Sequence, residues 1–334
     1  MGERCLEEIL CAVVQTSVDP MESLIWRDCA IRSRHLRQLA NLRGNMMGVE
    51  KFRSCPLCFS KHVAHYSSGV GDAYRQIPWS FRFFLCMDCR LRFQVKPAVD
   101  PTKLFELQDQ AQVKRKASRR ELRCDPDVLK SFARMVSGRR LLEIGPGDGR
   151  FLESAKRDNW DCTGVDVSER VAEYARRRSG INILIGDLSQ FKFPADSFDV
   201  VNLDQVLMYV EDPTALLTEV ERVLKPAGIC RIREYDSDSV SALLAGKKYW
   251  MYCPTVLLVW SYQSICKVAA ASGMEIIGIF PGTEATLGSW LDTERSRRAS
   301  DVLRCTVQFM LRKIAFRGWS VAADNVYYLQ KAAS

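Results

Sequence analysis

Leu141-Leu142-Glu143-Ile144-Gly145-Pro146-Gly147-Asp148-Gly149-Arg150-Phe151 runs from an apolar stretch with one acid, through three alternate glycines, into Phe151, Leu152 and Ala155 at helical spacing. The first part reads as a buried strand and the last as an amphipathic helix. Glycine lets the chain between them bend sharply and approach a ligand with no Cβ in the way. The third glycine follows the second by two residues instead of three, so the dinucleotide fingerprint is not met, and the lysine of a phosphate-binding loop is missing. The turn therefore suits a nucleoside-like ligand without a pyrophosphate. Moving outward, Cys162-Thr163-Gly164-Val165-Asp166-Val167 is a second short strand that closes on Asp166. An acid there, about 20 residues past a glycine turn, is where α/β nucleotide folds hold a ribose diol.

A second constellation lies nearer the N-terminus. Cys55-Pro56-Leu57-Cys58 and Cys86-Met87-Asp88-Cys89 are two CxxC pairs separated by 27 residues. Four thiolates from two such knuckles can converge tetrahedrally, as a closed structural zinc site requires. A redox CxxC normally stands alone at a helix start, so the pairing favours metal. The long intervening segment predicts a small β-hairpin, with strands near 82–85 and 91–95. With four cysteines available, His62 and His65 read as ordinary loop residues. A filled tetrahedron leaves no open position, so the metal is expected to be structural.

Composition sets the frame. At 334 residues the chain can hold one full α/β domain and an accessory module. Hydrophobic residues at 47% and charged residues at 26% are ordinary for a soluble globular protein. Glu7 and Glu8 interrupt the first apolar positions, which argues against a signal peptide. The purest apolar run, 256–260, falls far short of the roughly 20 residues that span a bilayer. A cytoplasmic protein is expected, and its thirteen cysteines then point to thiols and metal ligands over disulfides. The net charge of +8 is spread over many arginines and is a weak pointer to an anionic partner.

Residues 1–50 predict a helical extension in which Cys5, Cys11 and Cys29 lack metal-like pairing and His35 sits on a solvated face. Residues 51–97 form the cysteine module and 98–124 a linker. Within that linker, 114–120 packs five basic residues into seven, without aromatics to stack on bases. From 125 a domain of alternating strands and helices begins. Asp125-Pro126 is a helix start. Strands are expected at 140–144, 162–166, 182–186, 199–203, 229–233, 275–280 and 326–329. Helices are expected at 151–158, 169–178, 214–224 and 262–271. This alternation implies a mainly parallel sheet covered on both faces.

Taken together, 143–151, 164–168, Gly186-Asp187, Phe198-Asp199-Val200-Val201 and Arg222-Val223-Leu224-Lys225-Pro226-Ala227-Gly228 resemble the successive motifs of class I S-adenosylmethionine-dependent methyltransferases, over roughly 125–331. With the cysteine pairs in front, the chain resembles a bacterial group acting in surface-polysaccharide, deoxysugar and secondary-metabolite pathways. The resemblance implies a Rossmann-like seven-stranded sheet whose last strand is antiparallel, preceded by a zinc-ribbon-like module. It implies S-adenosylmethionine and structural Zn²⁺ as cofactors, and a small-molecule or sugar-type acceptor methylated on oxygen or carbon. Gly145, Gly147 and Gly149 would pass under the methionine part of the cofactor, and Glu143 would help receive its amino group. Asp166 would take the ribose hydroxyls, with Val167 beside it. Asp187 and the backbone of Leu188 would meet the adenine, and Leu203 would pack near the methyl.

Methyl transfer is a displacement from a sulfonium, so alignment of nucleophile, methyl and sulfur is the main task of the protein. A general base helps if the acceptor is a hydroxyl or carbon acid. Here the chain departs from the group. Met208-Tyr209-Val210 stands where Glu-His is frequent, and Val256 stands where a histidine commonly follows Pro254 by two positions. All three histidines lie before residue 66. The remaining candidates are Asp204, Gln205, Tyr209, Glu234, Tyr235 and Asp236, with Tyr209, Asp204 and Asp236 preferred. Tyr249, Trp250, Tyr252 and Trp260 form either a substrate lid or a piece of core. Two rival readings are an RNA methyltransferase that grips RNA through the cysteine module and residues 114–120, and a non-catalytic partner subunit that keeps the fold.

Overall fold

Short apolar strands that must be buried on both faces set the architecture. The computed structural model describes residues 54–70, 80–94, 126–281 and 324–332, all in the unit spanning Arg53–Ser334. The expected extension (1–50), the linker (98–124) with its basic run, and Cys5, Cys11, Cys29 and His35 lie outside the described residues.

In chain order the elements are β1 (Val63–Val70), β2 (Ser80–Cys86), β3 (Arg92–Gln94), α1 (Pro126–Met135), β4 (Arg140–Ile144), α2 (Arg150–Arg157), β5 (Asp161–Asp166), α3 (Glu169–Ser179), β6 (Ile183–Ile185), β7 (Phe198–Asp204), α4 (Pro213–Val223), β8 (Leu224–Tyr235), α5 (Val240–Ala245), β9 (Leu258–Val259), α6 (Tyr262–Ala271), β10 (Met274–Pro281) and β11 (Asp324–Lys331). Seven of the strands form one sheet in the order β10-β11-β8-β7-β4-β5-β6. β4 is parallel to both β5 and β7, and β11 is antiparallel to both β8 and β10. This is the expected seven-stranded Rossmann-like sheet with its last strand reversed. The chain leaves β4 first toward β6 and then returns to build the other half. Ligands bind such sheets where the order reverses, outside the carboxyl ends of the central strands.

Local chemistry explains the helix boundaries. Ser168 opens α3 by accepting from the Val171 N–H, and Gly180 closes it in the left-handed region. Asp212 accepts from the Ala215 N–H ahead of Pro213 at the start of α4. On one face of the sheet, Phe132 of α1 is fully buried edge-on to Phe151, Trp160 and Tyr328. Emptying such a site costs about 3–5 kcal/mol. On the other face, Leu217 and Val220 of α4 and Ile265 and Val268 of α6 cover Val201, Leu203 and Ile232.

The predicted hairpin is present. β1 and β2 pair antiparallel from Val63↔Cys86 to Val70↔Ser80, and β3 pairs with β2. Sequence periodicity did not show β9, which pairs with β3 through Arg92↔Val259 and Phe93↔Leu258. The cysteine hairpin therefore shares a four-stranded sheet with a segment more than 160 residues downstream. Among the described residues, no helix is long and apolar enough to cross a membrane.

Candidate functional site

The apolar run ends at Ile144, and the chain then turns through Gly145 (φ 66°), Gly147 (φ 55°) and Gly149 (φ 76°) into α2. Two of these glycines are required for more than their torsion. A Cβ on Gly145 would stand 2.8 Å from Cγ2 of Val206, and one on Gly149 would stand 3.0 Å from the Ala175 backbone. A Cβ on Gly147 would meet nothing within 4 Å, so the space above the turn is open there.

Glu143 lies beneath this turn and is 3% exposed. Its Oε1 accepts from Nδ2 of Asn202 at 3.1 Å, while its Oε2 is buried with no partner. Burial, helped by the neighbouring charge of Asp204, pushes this carboxyl well above the usual range, against the opposing pull of Asn202 and Arg231. A buried carboxyl with one vacant oxygen can receive a cationic donor. One strand over, Asp166 is half-buried and accepts the Ser168 N–H at 2.8 Å, and Val167 beside it is exposed. Asp187 is exposed and caps a short turn, its Oδ1 accepting the N–H (2.9 Å) and hydroxyl (2.7 Å) of Ser189. Leu188 and Leu203 are buried.

Asn202 is the first member of a polar row that sequence reasoning missed. Its Oδ1 accepts from Arg231 at 2.9 Å. Arg231 and Arg233 both reach Asp204, at 3.3 and 3.2 Å, and Arg233 Nε reaches Asp324 at 2.7 Å. Strand register puts these groups on one face: Glu143, Asn202 and Arg231 are direct neighbours, as are Asp204 and Arg233. The signal was in the sequence. Arginine at alternate positions in Ile229-Cys230-Arg231-Ile232-Arg233 is unexpected in a strand buried on both faces.

The three preferred proton acceptors occupy different surroundings. Asp204 ends β7 with a side chain 29% exposed, held by the two arginines. Tyr209 closes a short 3-10 turn and is half-buried beside the Met208–Tyr252 core cluster. Asp236 is 4% exposed, and its oxygens accept from the Asp238 N–H and from Asn325 Nδ2. Burial pushes Asp236 up to about 6. Burial also pushes Glu234 up to about 8, although its Oε1 accepts the Leu207 N–H at 2.7 Å; its Oε2 has no partner. Tyr249, Tyr252 and Trp260 are core: they are buried, and the first two pack with Phe83 and Met251. Trp250 alone of these aromatics is exposed, edge-on to Tyr235 with centroids 4.7 Å apart.

The four cysteines converge as expected. Sγ atoms of Cys55 and Cys89 lie 3.6 Å apart, those of Cys58 and Cys86 3.5 Å, and all four lie within 4.8 Å of one another. A tetrahedron with bonds of about 2.3 Å has edges of about 3.8 Å, so the set fits a metal. The contact with Cys89 holds the Cys55 thiol down at about 5, and the same contact with burial pushes Cys89 up. Each knuckle closes on a left-handed residue, Phe59 (φ 57°) and Arg90 (φ 63°). His62 contacts Asp88 at 3.3 Å and is exposed, whereas His65, expected in a loop, lies in β1 opposite Phe84 and is also exposed.

Residues 142–232 match the family model described as a methyltransferase domain. An uncharacterized protein of Methanocaldococcus jannaschii is 36% identical over 121 residues, covering 36% of this chain and 55% of that protein. A demethylmenaquinone methyltransferase of Clavibacter sepedonicus is 30% identical over 160 residues, covering 47% of this chain and 64% of that protein. The chain spans about half the length of the curated relatives it matches. Among solved structures, a geranyl diphosphate C-methyltransferase from Streptomyces coelicolor aligns with a TM-score of 0.45 at 15% identity, over 62% of this chain and 78% of that chain.

Proposed function

We propose that this chain is an S-adenosylmethionine-dependent methyltransferase acting on oxygen or carbon of a small-molecule or sugar-type acceptor, with a structural zinc ion in its N-terminal hairpin. The methyltransferase-domain match and the sheet order support the class. The observation that carries the site is Oε2 of Glu143, buried without a partner beneath a glycine turn with open space above Gly147.

When bound, the cofactor supplies a methyl group on a sulfonium, already a good leaving group. The chain's own residues hold and orient. Glu143 receives the amino group, and the ammonium stabilises the ionised carboxylate that burial alone disfavours. Asp166 accepts the ribose hydroxyls. Val167 flanks the sugar, and Asp187 with the Leu188 backbone meets the adenine edge. Leu203, buried in β7, would pack near the methyl. Of the three candidate proton acceptors, Asp204 combines a carboxylate with solvent access at the carboxyl end of its strand, while Tyr209 follows β7 and Asp236 follows β8. For the metal, Cys55, Cys58, Cys86 and Cys89 fill a closed tetrahedral set, and the ion fixes the hairpin without entering the chemistry.

The test is calorimetric titration with S-adenosylmethionine and S-adenosylhomocysteine, beside Glu143→Gln and Asp166→Ala. Micromolar binding by the native protein, weakened at least about tenfold in each variant, supports the reading. No binding by folded native protein overturns it. Acceptors are then screened with nucleotide sugars. Hydroxylated aromatics join the panel because one relative is named a demethylmenaquinone methyltransferase.

A further inference from the structure

The cysteine hairpin is tied to the catalytic sheet at one point of concentrated polarity. Arg92, three residues past Cys89, has a side chain only 3% exposed. It donates to Ser237 Oγ and, at 3.0 Å, to Asp238 Oδ1. Its guanidinium lies over the Tyr66 ring, 5.0 Å from the centroid. Arg90, next to Cys89, approaches the same Asp238 carboxylate at 3.9 Å. Both arginines thus leave the second knuckle for the turn that ends β8.

That turn is itself laced to the following segment. The Ser237 N–H donates to the Trp260 carbonyl at 2.7 Å, and the Leu257 N–H to the Met208 carbonyl at 2.9 Å. From the hairpin side, the Gln94 N–H donates to the Leu257 carbonyl at 2.9 Å, and Gln94 Nε2 to the carbonyls of Pro254 and Val256. Residues 236–260 therefore lie between the hairpin and the carboxyl ends of β7 and β8. An arginine this buried fixes its partners strongly, because breaking the contact leaves its own charge stranded.

We propose that Arg92 is a positioning residue which, with Arg90, transmits the order of the metal-bound knuckle to residues 236–260, the wall on the acceptor side of the site. The proposal rests on the metal and acceptor-crevice readings above. Metal occupancy then controls the acceptor wall and leaves the cofactor half, built on β4 and β5, unaffected.

Amide hydrogen exchange on the full-length protein, metal-loaded and chelator-stripped, tests this. Stripping should speed exchange of the Ser237 and Leu257 amides about tenfold or more, while Gly145 and Gly164 amides stay within about twofold. In metal-loaded Arg92→Ala the Ser237 and Leu257 amides should already be fast, and stripping should add little. Arg92→Lys, which keeps the charge but not the fork, should recover part of the protection. S-adenosylhomocysteine affinity should stay within about twofold throughout. Should Arg92→Ala not fold, Asp238→Asn, at a half-exposed site, removes the shared anchor instead. The proposal is overturned if stripping speeds only the hairpin amides of Phe59 and Arg90, or if stripping and the variant act additively. Failure to take up zinc, measured by metal analysis, overturns the metal reading and this proposal with it. Loss of S-adenosylhomocysteine binding in the native loaded protein overturns the cofactor reading and leaves the exchange result interpretable.

Discussion

The glycine turn that ends β4 and the arginine row that crosses β7 and β8 to the amino end of β11 belong to one sheet but treat their polar groups in opposite ways. Beneath the glycine turn, Glu143 keeps an oxygen buried and unmatched. A few ångströms along the same face, Arg231, Arg233, Asp204 and Asp324 neutralise one another. A protein tolerates an unsatisfied buried acid at a cost in stability, and such groups cluster where a ligand supplies the missing partner. A matched row costs little as it stands, and much when one member is removed. Glu143 is a socket and the arginine row a frame, while Glu234 in β8 keeps an unmatched oxygen as Glu143 does.

The largest effect should come from the frame. Arg231→Met strands Asn202 and part of Asp204 in a buried row, and should destabilise the protein by about 3 kcal/mol or more in denaturant titration. If it proves neutral, the row is not a matched network. In the socket the balance should reverse. Glu143→Gln should leave stability in the absence of cofactor equal or slightly raised, because it removes a buried acid with one oxygen unmatched and keeps an acceptor for Asn202, yet weaken cofactor binding by about ten- to a hundredfold, about 1.4–2.7 kcal/mol. A drop in both would make Glu143 a frame residue after all.

Glu234 sharpens the contrast through pH. Its folded carboxyl holds its proton up to about 8, whereas its ordinary value is 4.5. Across that interval the folded state binds the extra proton, so stability falls as pH rises, by at most about 1.4 kcal/mol per unit for one group. Glu234→Gln should flatten the decline in Tm between pH 6 and 8 and exceed the native protein in Tm at pH 8. An unchanged slope would assign the decline to other groups. Smallest is Asp187→Ala. Loss of the cap on Ser189 should cost about 1 kcal/mol or less. Weaker cofactor binding beyond that loss would add a direct contact with the adenine, and binding unchanged from native would leave Asp187 as a cap alone.

How much of this was legible varies with the length of chain over which each feature is decided. The strand at 140–144 and the helix at 262–271 were read with their observed bounds, because the glycine turn and the Ser261 cap punctuate them locally. The strand expected at 229–233 is longer, Leu224–Tyr235, since its ends are defined by pairing with β7 and β11 instead of by turn residues. The aromatic insertion stood open between lid and core. Tyr249 and Tyr252 turned out to be core because Phe83, far upstream, supplies the other wall. Arg92 carried no signal: an arginine in a short hairpin strand ordinarily points to water.

By itself the sequence determined the fold class, the glycine turn with its two strand-end acids, and the four-cysteine set, because each is written in residues adjacent in the chain or in fixed short spacing. The tertiary structure alone decided which acids are matched and which are vacant, that β9 adds a downstream strand to the hairpin's sheet, and that Asp238 is the common anchor of Arg90 and Arg92. Burial and charge pairing are set by groups brought together from 27 residues apart, as Asp204 and Arg231 are, to 146, as Arg92 and Asp238 are, and local pattern carries no record of such partners.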